Sequence, residues 1–244
     1  MQVSASSIEV ALLQPYNGMQ SRREETRMER YIYRKKQRKL VKKQRENTAS
    51  DFLGYALYAF GGIGLELLLL KDEEGLHHLT FAAWGSAEHI LHWCLTCVVW
   101  GMTGWLLARQ LPAQCEEPTQ LSPARKVSIL FFMVLSIVLT SVVWGGFKPA
   151  VEFSALGPVQ FLFQYLYYAT EVFLMVLMIA HGQRAFEVWK GKDSQLPFGG
   201  MFLALTWGMM HLLTQNVSTG IYAVAQALIY GEVYLLARKD RRIS

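Results

Sequence analysis

The stretch "FLGYALYAFGGIGLELLLL", residues 52–70, decides how the rest of the chain is read. It runs for 19 residues with a single charged side chain, Glu66. An apolar helix of roughly 17–25 residues crosses a bilayer. Five more apolar stretches follow, at residues 81–108, 127–147, 158–180, 198–214 and 219–237. Of the six, 198–214 is the shortest and needs its flanks to span. None shows the strict alternation of a membrane barrel strand. The expected fold is therefore all-α: a polytopic membrane helical bundle of six transmembrane helices, occupying residues 51–244.

Composition points the same way. Of the 244 residues, 52% are hydrophobic and only 18% charged, and mean hydropathy is +0.19. Twelve of the 24 Lys and Arg fall in the first 50 residues, which leaves the remainder almost free of charge over long runs. A soluble core and a disordered chain are both excluded for that part. So is a disulfide scaffold, because Cys94, Cys97 and Cys115 cannot all pair and two of them sit in an apolar run.

Orientation follows from the basic residues. With the N-terminus in the cytoplasm, Arg109, Arg125, Lys126, Arg184, Lys190, Lys192 and the Arg238 to Arg242 cluster are also inside, and only Lys71 and Lys148 lie outside. Six spans with N-terminus and C-terminus both cytoplasmic satisfy the positive-inside rule for 22 of the 24. Residues 1–50 form a basic cytoplasmic tail, expected to be part helical from Arg22 to Arg45. They lack the apolar core of a cleaved signal peptide, so the first span is read as an uncleaved anchor. A basic tail beside a membrane span lies against anionic lipid, each basic residue contributing about 1 kcal/mol. That suffices to explain the run, and no nucleic-acid partner is expected.

Function in such a chain is sought at ionisable residues placed at membrane depth, which are expensive there unless paired or hydrated. Glu66 lies about 21 Å along span one, His211 about 20 Å along span five, Glu171 about 14 Å above the inner end of span four, and His92 about 16 Å below the outer end of span two. Those depths allow all four to meet in one layer. Gln160, Gln164 and Tyr168 share the face of Glu171. Gly200, Ala204 and Gly208, and again Gly220, Ala223, Ala227 and Gly231, form small-residue ridges suited to close helix contact. The plainer readings are a local Glu88–His92 pair at i, i+4, solvated His77, His78 and His89 at the outer interface, and packing roles for the Cys94 to Cys97 pair and the tryptophans. Glu232 sits near the inner end of span six and needs no special account.

The runs "TEVFLMVLMIAHGQRAFE", "LPFGGMFLALTWGMMHLLTQ" and "GIYAVAQALIYGEVYLL" resemble the CAAX-protease and bacteriocin-processing (CPBP, Abi-like) family of glutamic intramembrane proteases, over a core of about residues 158–238. Glu171 matches the family's glutamate, and Trp207 to His211 matches its aromatic-xxx-His motif. Thr170-Glu171 stands where the family has two glutamates, Met175 where it has an arginine, and no later helix with a His or Asn motif precedes Ser244. The resemblance leaves Glu66 and His92 to supply those groups. It implies an integral protein of the bacterial plasma membrane, acting as an intramembrane endopeptidase on a peptide or membrane-protein substrate. Glu171 would be its general base, and His211 the oxyanion donor or water-positioning group. No cofactor or metal is expected. A metal site of Glu171, His211 and His92 is the lesser variant, since the ligands sit on separate helices without an HExxH-type motif. The alternative is a catalytically silent protein of the same fold that binds a partner or confers bacteriocin immunity. A small transporter ranks below both, for want of an internal repeat.

Overall fold

A computed structural model of the chain describes residues 47–111 and 121–237. The basic tail with its expected helix, Cys115 and residues 238–244 lie outside them. Every regular element among the described residues is helical. Five helices are long and apolar enough to cross a membrane by length and composition. Several long apolar helices mark an integral membrane protein.

Helix α1, Ala49–His77, opens on a capping box: the Thr48 hydroxyl accepts the Asp51 N–H and the Asp51 carboxylate accepts the Thr48 N–H. It runs two turns past the apolar stretch that ends at Leu70, and stops where His78 turns left-handed at φ 55°. The second stretch, expected from residue 81, begins instead with a 3₁₀ turn, Phe81–Ala83, and helix α2 is Ser86–Ala108. Gly85, extended at the N-cap, separates the two. Helix α3, Pro123–Val143, is capped by Ser122 and starts with proline at its first position.

Helix α4, Lys148–Lys190, is broken at Gly157, whose φ of 73° and ψ of 172° only glycine adopts without strain. Pro158 follows and disfavours helix in the residue before it. The arm at 148–156 folds back on the long arm: buried Glu152 accepts the hydroxyls of Tyr165 and Tyr168, both at 2.9 Å. Lys148 pairs with Glu152 at 3.7 Å and lies over the Tyr168 ring. The long arm starts at the expected residue 158 but passes residue 180 by almost three turns, to Gly191.

The next stretch is one rod in three pieces: α5, Phe198–Leu203, a π turn, Ala204–Gly208, and α6, Met209–Thr214. Helix α7 is Val217–Ala237. Helix α4 is central, with α1 and α2 on one side and α5 on the other; the rod packs on α7, and α3 packs on α7 alone in any extent. Trp100, Leu174, Met178, Leu203 and Ala227 form the core. No residue of α3 is buried. A polar seam ties it down: Ser136 donates to Gln226 at 2.8 Å, Gln226 donates to Thr140 at 3.0 Å, and Thr140 meets the Tyr222 hydroxyl at 2.8 Å.

The two small-residue ridges read from the sequence face each other. A Cβ on Gly200 would lie 2.7 Å from the Gly231 Cα and 3.0 Å from the Ala227 carbonyl oxygen, and one on Gly208 would press on Val224. Backbone against backbone leaves no flexible neighbour to yield. Gly231→Val is therefore expected to destabilise the bundle by about 1–3 kcal/mol or more. The check is the midpoint of thermal unfolding in detergent, with Gly61→Val, which faces open space, as the silent comparison.

Candidate functional site

The polar residues at depth arrange themselves as two linked groups around α4. The first is built by α1 and α2. Glu66 and Glu73 are seven residues apart, two turns, and so share one face of α1. Between them sits His92 of α2, 1% exposed. Its Nδ1 is 2.5 Å from Glu73 Oε2 and its Nε2 is 3.4 Å from Glu66 Oε1. Both contacts are satisfied when the ring carries two protons or when one carboxyl keeps its own. From α4, the Tyr167 hydroxyl donates to the same Glu66 oxygen at 2.7 Å. The rings of Trp93 and Trp100 hold Tyr167 from the side of α2.

The second group joins α4 to the rod. Glu171 lies one turn beyond Tyr167, and its Oε1 accepts the indole N–H of Trp207 at 3.0 Å. The Trp207 carbonyl in turn accepts Nδ1–H of His211 at 2.9 Å, with the two rings 4.4 Å apart. That bond fixes the tautomer of a neutral His211, leaving Nε2 as an acceptor. Glu171 lies within electrostatic reach of Glu66, His211 and Lys148. Tyr167 is in reach of both Glu66 and Glu171.

Of the four residues singled out in the sequence, Glu66 and His92 thus touch directly, and Glu171 and His211 are linked through Trp207. The pairs adjoin through Tyr167 without forming one hydrogen-bonded tetrad. Counted from the helix ends, Glu66 is 17 residues into α1, His211 is 13 residues into the rod, and His92 is 16 residues from the end of α2. Those distances are about 26, 20 and 24 Å, which puts these three within about 6 Å of one level, and Glu171 is joined to the rod at that level through Trp207. No group of three His, Cys, Asp or Glu among the described residues is placed to hold a metal ion. The metal arrangement of Glu171, His211 and His92 is not formed.

Two local readings are corrected. His92 does not pair with Glu88; its partners come from α1, and Glu88 stays in the first turn of α2 beside Gly85. His89 is not a freely solvated surface group, because its ring stacks on Trp93 and meets Phe81 edge-on at 4.6 Å. Cys94 and Cys97 are free thiols, and Cys97 packs on Thr170 at 3.4 Å. Gln160 of α4 accepts the Ser86 hydroxyl at 3.0 Å.

Sequence reading missed Glu73, which sits in the charged run Lys71 to Glu74 beyond the end of the apolar stretch. Its seven-residue spacing from Glu66 was the available signal. Tyr167 and Glu152 were missed too, as was His181, which is fully buried and donates Nε2–H to the Leu107 carbonyl at 3.2 Å. Neither a family model, nor a curated protein, nor a solved structure matches the chain.

Removing His92 would leave two carboxylates facing each other without their bridge. Breaking a buried charged network by one member costs about 3–5 kcal/mol. His92→Leu is expected to lose stability on that scale, while Glu88→Gln stays within about 0.5 kcal/mol of the parent. Thermal unfolding of both variants in the same detergent decides which glutamates hold the imidazole; equal losses would restore the Glu88 pairing.

Proposed function

We propose that the chain is a six-span protein of the bacterial plasma membrane with both termini cytoplasmic, and that it is an intramembrane endopeptidase of CPBP type. The rod Phe198–Thr214 supplies the sixth span, 17 residues being at the lower limit of what crosses. The basic tail is read as lying on anionic lipid of the inner leaflet. The observation that carries the catalytic reading is the Trp207 bridge, which holds a glutamate of α4 and a histidine of the rod beside one another at membrane depth.

In this reading a water molecule lies between Glu171 and His211. Glu171 takes a proton from it as the oxygen attacks a peptide carbonyl, and the proton passes to the amine nitrogen as the C–N bond breaks. With Nδ1–H committed to the Trp207 carbonyl, neutral His211 orients the water as an acceptor through Nε2. It serves as a donor to the oxyanion only when the ring is doubly protonated. The tryptophan indole keeps the Glu171 carboxylate turned toward the rod.

One observation favours the silent alternative, a partner-binding or immunity protein of the same architecture. Glu171 and His211 are each already hydrogen-bonded inside the protein, which is also how two structural residues would be kept. Glu171→Gln separates the readings, since it preserves shape and the indole bond but cannot take a proton. At matched membrane abundance an endopeptidase should lose about 10²–10⁴-fold in turnover of its substrate. A binding protein should keep its partner complex, and undiminished function in this variant would end the hydrolytic reading. Reporter fusions at the two ends test the topology: both should report cytoplasm, a periplasmic signal from one end alone would overturn the six-span count, and one from both ends would overturn the orientation.

A further inference from the structure

Helices α4 and α7 share little direct contact, because α7 packs chiefly on the rod and on α3. Between them runs a groove of about 360 Å³. It extends from Val172 to Ile179 on α4 and from Tyr230 to Ala237 on α7, about 10 Å along each helix. Six of its eight lining residues are apolar and the other two are tyrosines. Tyr230 engages Ser136 of α3, and Tyr234 is engaged as well. Val172 and Val176 are 50% and 44% exposed, so the groove opens to the surroundings of the bundle.

We infer that this groove binds an anionic phospholipid, with one acyl chain between α4 and α7 and the headgroup at the Ala237 end. Size and polarity select the chain. A transmembrane helix, about 10–12 Å across, is too wide to enter a groove of this size. An extended peptide would bring a row of N–H and C=O groups into hydrocarbon, and the lining has no row of donors and acceptors to meet them. An acyl chain has none to satisfy. Charge selects the headgroup. Ala237 lines the groove, and the residues that follow it are Arg238, Lys239, Asp240, Arg241 and Arg242. Consecutive Cα atoms are at most about 3.8 Å apart in any conformation, so the first arginine of that cluster starts at the groove wall. Basic residues beside a cleft between membrane helices are suited to an anionic headgroup. The site shares no residue with the basic tail of residues 1–50. A chain seated in it supplies the packing that α4 and α7 do not give each other, and this holds whether or not the endopeptidase reading stands.

The test uses the full-length protein in detergent, with dioleoylphosphatidylglycerol and dioleoylphosphatidylcholine as probes, which share their chains and differ in charge. The anionic lipid should raise the unfolding temperature saturably, at a concentration about tenfold lower than the zwitterionic one. Val176→Trp fills the groove from an exposed position and should remove the saturable response to both. Arg238→Gln, Lys239→Gln, Arg241→Gln and Arg242→Gln together should bring the anionic lipid down to the level of the zwitterionic one. Equal responses of the parent to the two lipids, or an anionic-lipid response unchanged in Val176→Trp, would overturn the site. A preference for the anionic lipid that survives the fourfold replacement would overturn the placement of the headgroup, and the proposal with it. Should Val176→Trp not fold, phosphatidylglycerol carrying a diazirine on its acyl chain decides on the parent protein. Label concentrated on residues 172–179 and 230–237 supports the groove, and label spread equally over α3 overturns it. A second copy as occupant would appear as a dimer that neither lipid disperses and Val176→Trp abolishes, which would also overturn the proposal.

Discussion

A polar group in hydrocarbon has no water to fall back on, so each must find its partner inside the protein, and this requirement organises the bundle. It makes every described element a helix. It also explains why the ionisable side chains at depth are not scattered. Glu66 alone in a lipid-facing turn would be costly; beside His92, Tyr167 and Glu73 it becomes one member of a chain of short contacts. Helix α4 is the common wall. It presents Tyr167 to α1 and α2 on one turn and Glu171 to the rod on the next, so two polar groups share a single support.

The same requirement shapes the weaker contacts. Apolar surface gives helices no reason to associate in lipid, and close backbone packing or hydrogen bonds must do so instead. The rod and α7 use the first device, through Gly200 against Gly231 and Gly208 against Val224. Helix α3 uses the second, holding α7 through Ser136, Thr140, Gln226 and Tyr222 while burying no residue. The arm at 148–156 uses it too, through Glu152 and its two tyrosines.

What could be read in advance followed from spacing along one helix. The apolar runs gave the helices, the four-residue small-residue spacing gave the contacting ridges, and the apolar stretch opening at Pro158 marked the start of the long arm of α4. Glu66, His92, Glu171 and His211 stood out as isolated polar residues in apolar runs. What could not be read depended on partners from other helices. Glu88 is the right distance from His92 along α2, but the imidazole points to α1, where Glu73 waits on two turns that the apolar run does not mark. Tyr167 carried no signal of its own, and Trp207 stood out only as the aromatic of its motif, until the structure supplied an acceptor for each polar edge.

The π turn at Ala204–Gly208 shows how one element serves both demands. In a regular helix, positions four apart drift by about 40°. Gly200, Ala204 and Gly208 would therefore turn away from α7 over two steps. The wider π turn takes back part of that drift, and Gly208 stays against Val224. Trp207 lies inside the same turn, and its indole is delivered to α4 and Glu171 while its carbonyl holds His211 one turn on. A straight helix optimised for packing on α7 would lose that reach. Retaining the less regular turn keeps the glycine contact on one side and the glutamate–tryptophan–histidine link on the other.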